Sequence, residues 1–490
     1  MAKRARRRPT REPMSRVDTA WLRMERGTNP MMITGVLMFA EPMSLKALKQ
    51  VIKTRFLEYA RFRQKPVETS AGAYWEADEH FDLDWHVQLA ALPGKGDKRA
   101  LERFVSQLAS SPLDAGKPLW QFHLVERYSD DGRGTGSALI ARIHHSYADG
   151  MALVQVLLSL TDTSPTPVKG SELGKAWLKE QAVPVAQRVG AAQRAMKSAS
   201  KLAAQGIGVG MSMYRDPTFA SMLAKEGGEI ARELLQALAL PDDPPSLLRG
   251  ALGTTKRVAW AEPLDLEEVK AVGRATGFTV NDVLLAAAAG ALRSYMLERG
   301  ADLDGITLRA TVPVNLRPLE HAKKLGNHFG LVFLDLPVGE ANPMRRLEFV
   351  GECMHQLKAS RQAIVAFGLL AALGMAPPAV QTLALELLSR KATAVATNVP
   401  GPQQPLYLAG CTVREMMFWV PQTGSIGLGI SILSYNGRVH FGLIADAKLI
   451  PDPDAVIKRF GPEFDKLLYL ALMGDWSQEM NSVAAEALMR

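Results

Sequence analysis

Residues 144–150, His144-His145-Ser146-Tyr147-Ala148-Asp149-Gly150, put two imidazoles, a hydroxyl and a carboxylate into one short stretch. A neutral imidazole, with a pKa of about 6.5, takes and returns a proton near neutral pH, as a general base must. Side chains alternate along extended backbone, so His144 and His145 point in opposite directions. One faces a given pocket and the other has a different task. Asp149 has three readings on spacing alone. It turns back under His145, it binds a cation elsewhere, or it N-caps a helix starting at Gly150, with both histidines satisfied in the core. A metal site of His, His and Asp is disfavoured, because no further Cys, His or carboxylate cluster stands nearby to complete it.

The flanking sequence must hold these groups. In 118–126, Trp120, Phe122 and Leu124 share one face, the period-two mark of a half-buried strand. Residues 130–136 are turn-forming, and 137–143 read as a second strand. Residues 151–160 read as a buried apolar helix. The histidines therefore leave a strand end and enter a helix start.

The chain has 490 residues, more than one compact core usually takes, so two domains are expected. With 47% hydrophobic and 22% charged residues it is globular. Two cysteines, Cys353 and Cys411, make no disulfide framework and point to a reducing, cytoplasmic setting. The net charge of +8 suits anionic partners such as lipid headgroups or coenzyme phosphates. No aromatic-studded basic motif supports nucleic acid binding.

Residues 1–14 form a basic N-terminal tail (Lys3, Arg4, Arg6, Arg7, Arg8, Arg11), with no secretory hydrophobic region behind it. It is either a solvated tail or an electrostatic tether to an anionic leaflet. Residues 15–164 mix strands (31–38, 81–87) with helices (45–57, 101–109) and form an α/β first domain. Residues 165–250 are rich in Ala, Gly, Lys and Arg. They read as a helical linker, packed over the domains or lying partly on a membrane interface.

A second domain spans 251–490. It opens with a strand at 256–263 and a helix at 266–276 closed by Gly277. In the helix that follows Thr279, Asn281 sits in the first turn, where its amide can donate to a developing negative charge, unless Asn281 or Thr279 simply caps. A strand at 306–314 leads to Asn315 and Arg317. Residues 363–380 carry no charge, but Pro377-Pro378 interrupts them and Gly368 and Gly374 loosen them. They predict two helices lining a tunnel or touching a bilayer, not a span. Strands at 413–420, 426–433 and 439–444 and a last helix after Pro451 complete the domain.

His-His-x-x-x-Asp-Gly resembles the signature of the superfamily of chloramphenicol acetyltransferase, peptide-synthetase condensation domains and bacterial wax ester synthase/diacylglycerol acyltransferases. The last of these is matched along nearly the whole chain. The matching blocks are Met14-Ser15-Arg16-Val17-Asp18 with Trp21-Leu22 and Glu25, Pro112-Leu113-Asp114 with Pro118-Leu119-Trp120, and Asn281-Asp282. Further on come Pro313-Val314-Asn315-Leu316-Arg317-Pro318, Gly326-Asn327-His328-Phe329-Gly330 and Asn398-Val399-Pro400-Gly401-Pro402.

The resemblance implies an α/β (α+β) fold of two chloramphenicol-acetyltransferase-like domains, with mixed sheets around a shared central channel. It implies an O-acyltransferase that needs no cofactor or metal, uses acyl-CoA as substrate, and esterifies diacylglycerol or a long-chain alcohol. His145 would be the general base, with no covalent acyl-enzyme, while His144 and Asp149 fix geometry. Asn281 and Gly150 are candidates for holding substrate or the oxyanion, and Arg317 for an ion pair with Asp149. Tyr147 departs from the smaller residue expected there and would narrow the channel. The expected location is the inner face of the membrane or a lipid inclusion, bound peripherally. An acyl donor on a carrier protein, or a non-catalytic lipid-binding protein of the same fold, are the alternatives.

Overall fold

The computed structural model describes residues 11–69, 72–166, 239–316, 325–360, 362–374, 377–474 and 481–489. In the first half, β1 (Arg11–Pro13) and helix α1 (Arg16–Arg23) precede β2 (Met32–Phe39) and α2 (Leu45–Thr54). A hairpin, β3 (Gln64–Thr69) and β4 (Gly72–Ala77), follows. After it come α3 (Leu83–His86), β5 (Val87–Ala90), α4 (Lys98–Ser110), β6 (Trp120–Tyr128), β7 (Gly136–His144) and α5 (Gly150–Leu160).

The second half opens with β8 (Lys256–Trp260), β9 (Leu264–Asp265), α6 (Leu266–Thr276), α7 (Val280–Glu298), β10 (Leu308–Asn315) and β11 (Phe329–Leu336). Three helices come next, α8 (Pro343–Ala359), α9 (Gln362–Leu373) and α10 (Pro378–Ser389). The chain then runs through β12 (Ala394–Pro400), β13 (Tyr407–Leu408), β14 (Cys411–Trp419), β15 (Leu428–Tyr435) and β16 (Arg438–Asp446) to α11 (Pro453–Met473) and α12 (Ser482–Met489).

Two mixed sheets carry the molecule. One has the order β13-β14-β2-β7-β6-β5, and the other β11-β10-β12-β15-β16-β8 with β9 beside β16. The strand Cys411–Trp419, assigned from sequence to the second domain, crosses back to pair with β2 of the first sheet. A boundary near residue 251 therefore does not separate two independent sheets. The edge of the second sheet is covered in turn from the first half. Ser110 Oγ accepts from Lys256 N at 2.8 Å, and Ser106 Oγ accepts from Val258 N at 3.0 Å. These hydroxyls from α4 satisfy an edge that would otherwise offer free donors. Val36, Met38, Ala138 and Ile140 meet Val258, Trp260 and Ile444 in one apolar cluster behind it.

Other expectations shift locally. Residues 81–87 are not a strand: Asp82 accepts from Asp84 N and caps the single turn Leu83–His86, so the strand starts at Val87. Residues 11–13, counted with the basic tail, pair with β4, and Met14 is buried. The rest of that tail (1–10), most of the proposed linker (167–238) and Arg317 lie outside the described residues. Within 239–250, Asp243 is buried and accepts from Arg309 N.

The uncharged stretch forms two helices, α9 and α10, broken before Pro378 as its prolines predict. Among the described residues, no single helix is long and apolar enough to cross a membrane.

Candidate active site

The motif sits where β7 ends and α5 begins. Asp149 N-caps α5, its Oδ1 accepting from Ala152 N at 2.8 Å. Its other oxygen accepts from His328 N at 2.9 Å, so the cap also fastens the segment before β11. The backbone bonds of this region run across the two halves. Gly326 N donates to Tyr147 O at 3.0 Å, and Asn327 Nδ2 donates to His145 O at 2.8 Å. Gly326 has φ of 112°, which an L side chain rarely adopts.

The two imidazoles diverge as alternation requires. His144 Nδ1 accepts from Ser146 N at 3.1 Å, which places the proton on Nε2, and Nε2 donates to Glu25 at 2.8 Å. Burial would raise the Glu25 carboxyl. The hydrogen bond from His144, the nearby Met31 N–H and the Arg142 guanidinium outweigh it and hold the pKa below the usual range. His144 is thus a buried strut with both nitrogens in use.

His145 faces the other way, against Trp21, at a centroid distance of 4.1 Å and an interplanar angle of 21°. Its Nδ1 is buried without a partner among the described residues, which leaves Nε2 as the nitrogen that can meet a ligand. Loss of hydration lowers its pKa to about 4, against the opposing pull of Asp149, so the ring is neutral at physiological pH.

His145 lines a cavity of about 900 Å³, together with Trp21, Asp149, Gly150, Asn398 and Thr397 among others. Among the described residues, its titratable lining groups are His145 and Asp149, and Asp149 is already engaged. A second cavity of about 850 Å³ shares Trp21, Thr311, Leu331 and Thr423 with the first, and α9 and α10 wall it with Val365, Leu369, Leu373, Leu385 and Leu388. The ring of His145 therefore faces a mostly apolar chamber, with a few polar groups such as Asn398 and Thr397 on its wall, that adjoins a second apolar one.

Asn281 is not on the cavity wall. Thr279 caps α7 in a reciprocal capping box with Asp282, and Asn281 Oδ1 accepts from Asn398 Nδ2 at 2.8 Å. Asn398 is the residue that lines the chamber, and Asn281 orients it from behind. Gly150 does line it, at the first turn of α5, where N–H groups lack helical acceptors. Tyr147 does not narrow the channel. It is buried in the first-half core, stacked on Phe62 at 5.8 Å, and its hydroxyl donates to Gln64 O at 2.6 Å.

Sequence reasoning gave no task to Asp18, Trp21, Glu25 or Asn327. Asp18 accepts from Asn327 N and Nδ2 at 3.0 and 2.8 Å, and burial raises its pKa to about 6. The only signal for these residues was that all four lie in blocks shared with the resembling family.

Among the described residues, no cluster of His, Cys, Asp or Glu could hold a metal. Residues 14–284 match the family model described as wax ester synthase/diacylglycerol acyltransferase catalytic domain, and residues 325–468 match the WS/DGAT C-terminal domain. The chain belongs to the wax ester synthase/diacylglycerol acyltransferase family. It is an O-acyltransferase.

A probable diacylglycerol O-acyltransferase of Mycobacterium tuberculosis is 30% identical to this family member over 414 residues, covering 83% of this chain and 84% of that one. The solved wax ester synthase/diacylglycerol acyltransferase from Marinobacter aquaeolei VT8 superposes with a TM-score of 0.65 at 23% identity. It covers 94% of this chain and all (100%) of its own. The starter condensation domain of rhizomide synthetase, solved as a variant in complex with C8-CoA, gives 0.55 at 13% identity and covers 97% of each chain. Both neighbours share the mixed α/β, two-domain architecture, which bears out the fold expected from the motif blocks.

Proposed function

We propose that the protein transfers a fatty acyl group from coenzyme A to the hydroxyl of a diacylglycerol, or of a long-chain alcohol, with His145 as the general base. The observation that supports this is the cavity wall: among the described residues, one neutral imidazole, no other free titratable group, and an apolar chamber beside it.

In this reading His145 Nε2 takes the alcohol proton as oxygen attacks the thioester carbon. The tetrahedral intermediate collapses, the C–S bond breaks, and the departing thiolate receives the same proton. The Asn398 amide and the first-turn N–H groups at Gly150 and Met151 are candidates to stabilise the oxyanion. His144 and Asp149 hold the loop in shape.

An acyl-cysteine route has no support. Neither thiol lines the chamber, burial lifts Cys353 to about 11, and burial raises Cys411 as well. The apolar chamber between α9 and α10 suits an acyl chain. The curated relative named a diacylglycerol O-acyltransferase favours diacylglycerol as acceptor. Peripheral attachment to the inner leaflet or a lipid inclusion fits substrates this apolar.

The test is turnover of palmitoyl-CoA with diolein and with hexadecanol, products separated by thin-layer chromatography, in the wild type and His145→Ala. Ester formation is expected to fall by roughly 10²–10⁴, the contribution of general-base catalysis, while palmitoyl-CoA still binds. Full activity without the imidazole would refute the assignment.

A further inference from the structure

Helix α10 has two apolar faces. Leu385 and Leu388 look inward and line the chamber that adjoins that of His145. Val380, Leu383 and Leu387 are 52%, 59% and 42% exposed. Their spacing of three and then four residues places them in one outward stripe along the helix.

Cations stand around this stripe. Arg26 lies 3.7 Å from Glu386, and Arg390 and Lys391 reach Asp242 at 2.7 and 2.9 Å. Three cations thus face two carboxylates. The side chains of Arg26 and Arg390 are 38% and 58% exposed, and exposed ion pairs contribute little and exchange partners easily, so these two guanidinium groups are available to other anions, while the mostly covered Lys391 stays with Asp242.

The occupant follows from size and charge. Three side chains are too few for a protein interface, which takes about 800 Å² from each partner. A shallow apolar stripe with long basic side chains at its rim is how a helix lies in a lipid headgroup layer. The helix also forms one wall of the acyl chamber, so its outer stripe and the chamber lie on opposite faces of the same helix.

We propose that the outer face of α10 docks on an anionic lipid surface, and that lipid substrate enters the chamber from that surface along the same helix. This rests on the acyl-transfer reading above. A second exposed group, Tyr469, Leu472 and Met473 of α11 with Val483 of α12, lines neither chamber and provides the control.

The experiment is flotation of the full-length protein with vesicles of phosphatidylcholine, alone or equimolar with phosphatidylglycerol. The wild type is expected to float with the anionic vesicles. Leu383→Glu/Leu387→Glu should cut the bound fraction by at least about tenfold, since two exposed apolar contacts are replaced by like-charged carboxylates. Leu472→Glu/Met473→Glu should leave it unchanged.

Butanoyl-CoA with hexanol, both water-soluble, should turn over in the α10 variant at the wild-type rate, which also reports its folding. Vesicle-borne diolein should be lost in step with binding. Wild-type protein that does not float, or an α10 variant that floats as well as wild type, overturns the proposal. A wild type that floats through α10 yet turns over no soluble pair upholds the docking surface and defeats the acyl-transfer reading instead.

Discussion

The proposed general base, His145, sits where its ring is largely withheld from water, and in that role this fixes the sign of the pH dependence. A general base acts when unprotonated, so activity is present above its pKa and lost below. With the free-enzyme value near 4, kcat/KM for palmitoyl-CoA is expected to stay flat from pH 8 down to about 5 and to fall only beyond that. An ordinary imidazole would lose half its activity near pH 6.5. A pH-rate profile with a limb at 6.5 would show that the ring is hydrated in the working enzyme. The divergence of His144 from His145 was legible in the sequence, because it follows from strand geometry alone. The Glu25 strut was not, because 119 residues separate it from His144 and only tertiary packing closes that gap.

Elements position these residues through close backbone approaches. A Cβ on Gly330 of β11 would fall inside the carbonyl of Ala363, and one on Gly374 inside that of Arg16. Helix α9 can therefore lie against β11 and α1 only because both positions lack a side chain. Gly330→Ala should cost about 1–3 kcal/mol as an overpacked contact, read from the urea midpoint, with KM rising more for long-chain than for short-chain donors. The strand pair β6–β7, helix α5 and the break between α9 and α10 were all readable, since apolar periodicity, turn chemistry and proline mark them. The hairpin β3–β4 was not, because Gln64–Thr69 carries no clear alternation. Nor was the partner of Cys411–Trp419: periodicity finds a strand, but which sheet receives it depends on contacts some 380 residues apart.

At the scale of the whole molecule, a buried node ties the halves. Lys256 Nζ donates to Asp446 Oδ2 at 3.1 Å and to Asn29 Oδ1 at 2.8 Å, and Asn29 donates to the carbonyls of Gly424 and Ile426. Asp446→Asn leaves a buried ammonium without its carboxylate and should destabilise the protein by about 3–5 kcal/mol in equilibrium unfolding. Adding Lys256→Met should recover part of that loss. The strand exchange has a consequence for biosynthesis. Until residue 419 leaves the ribosome, Met32–Phe39 is an edge strand with one side of its ladder unfilled. At roughly 5–20 residues per second, the 372 residues from Ala40 through Cys411 take on the order of 20–75 s to translate. For that interval the nascent polypeptide presents an apolar strand with one edge unpaired. A chaperone that shields it, or a slowly translated message that prolongs it, should govern how much enzyme a cell recovers.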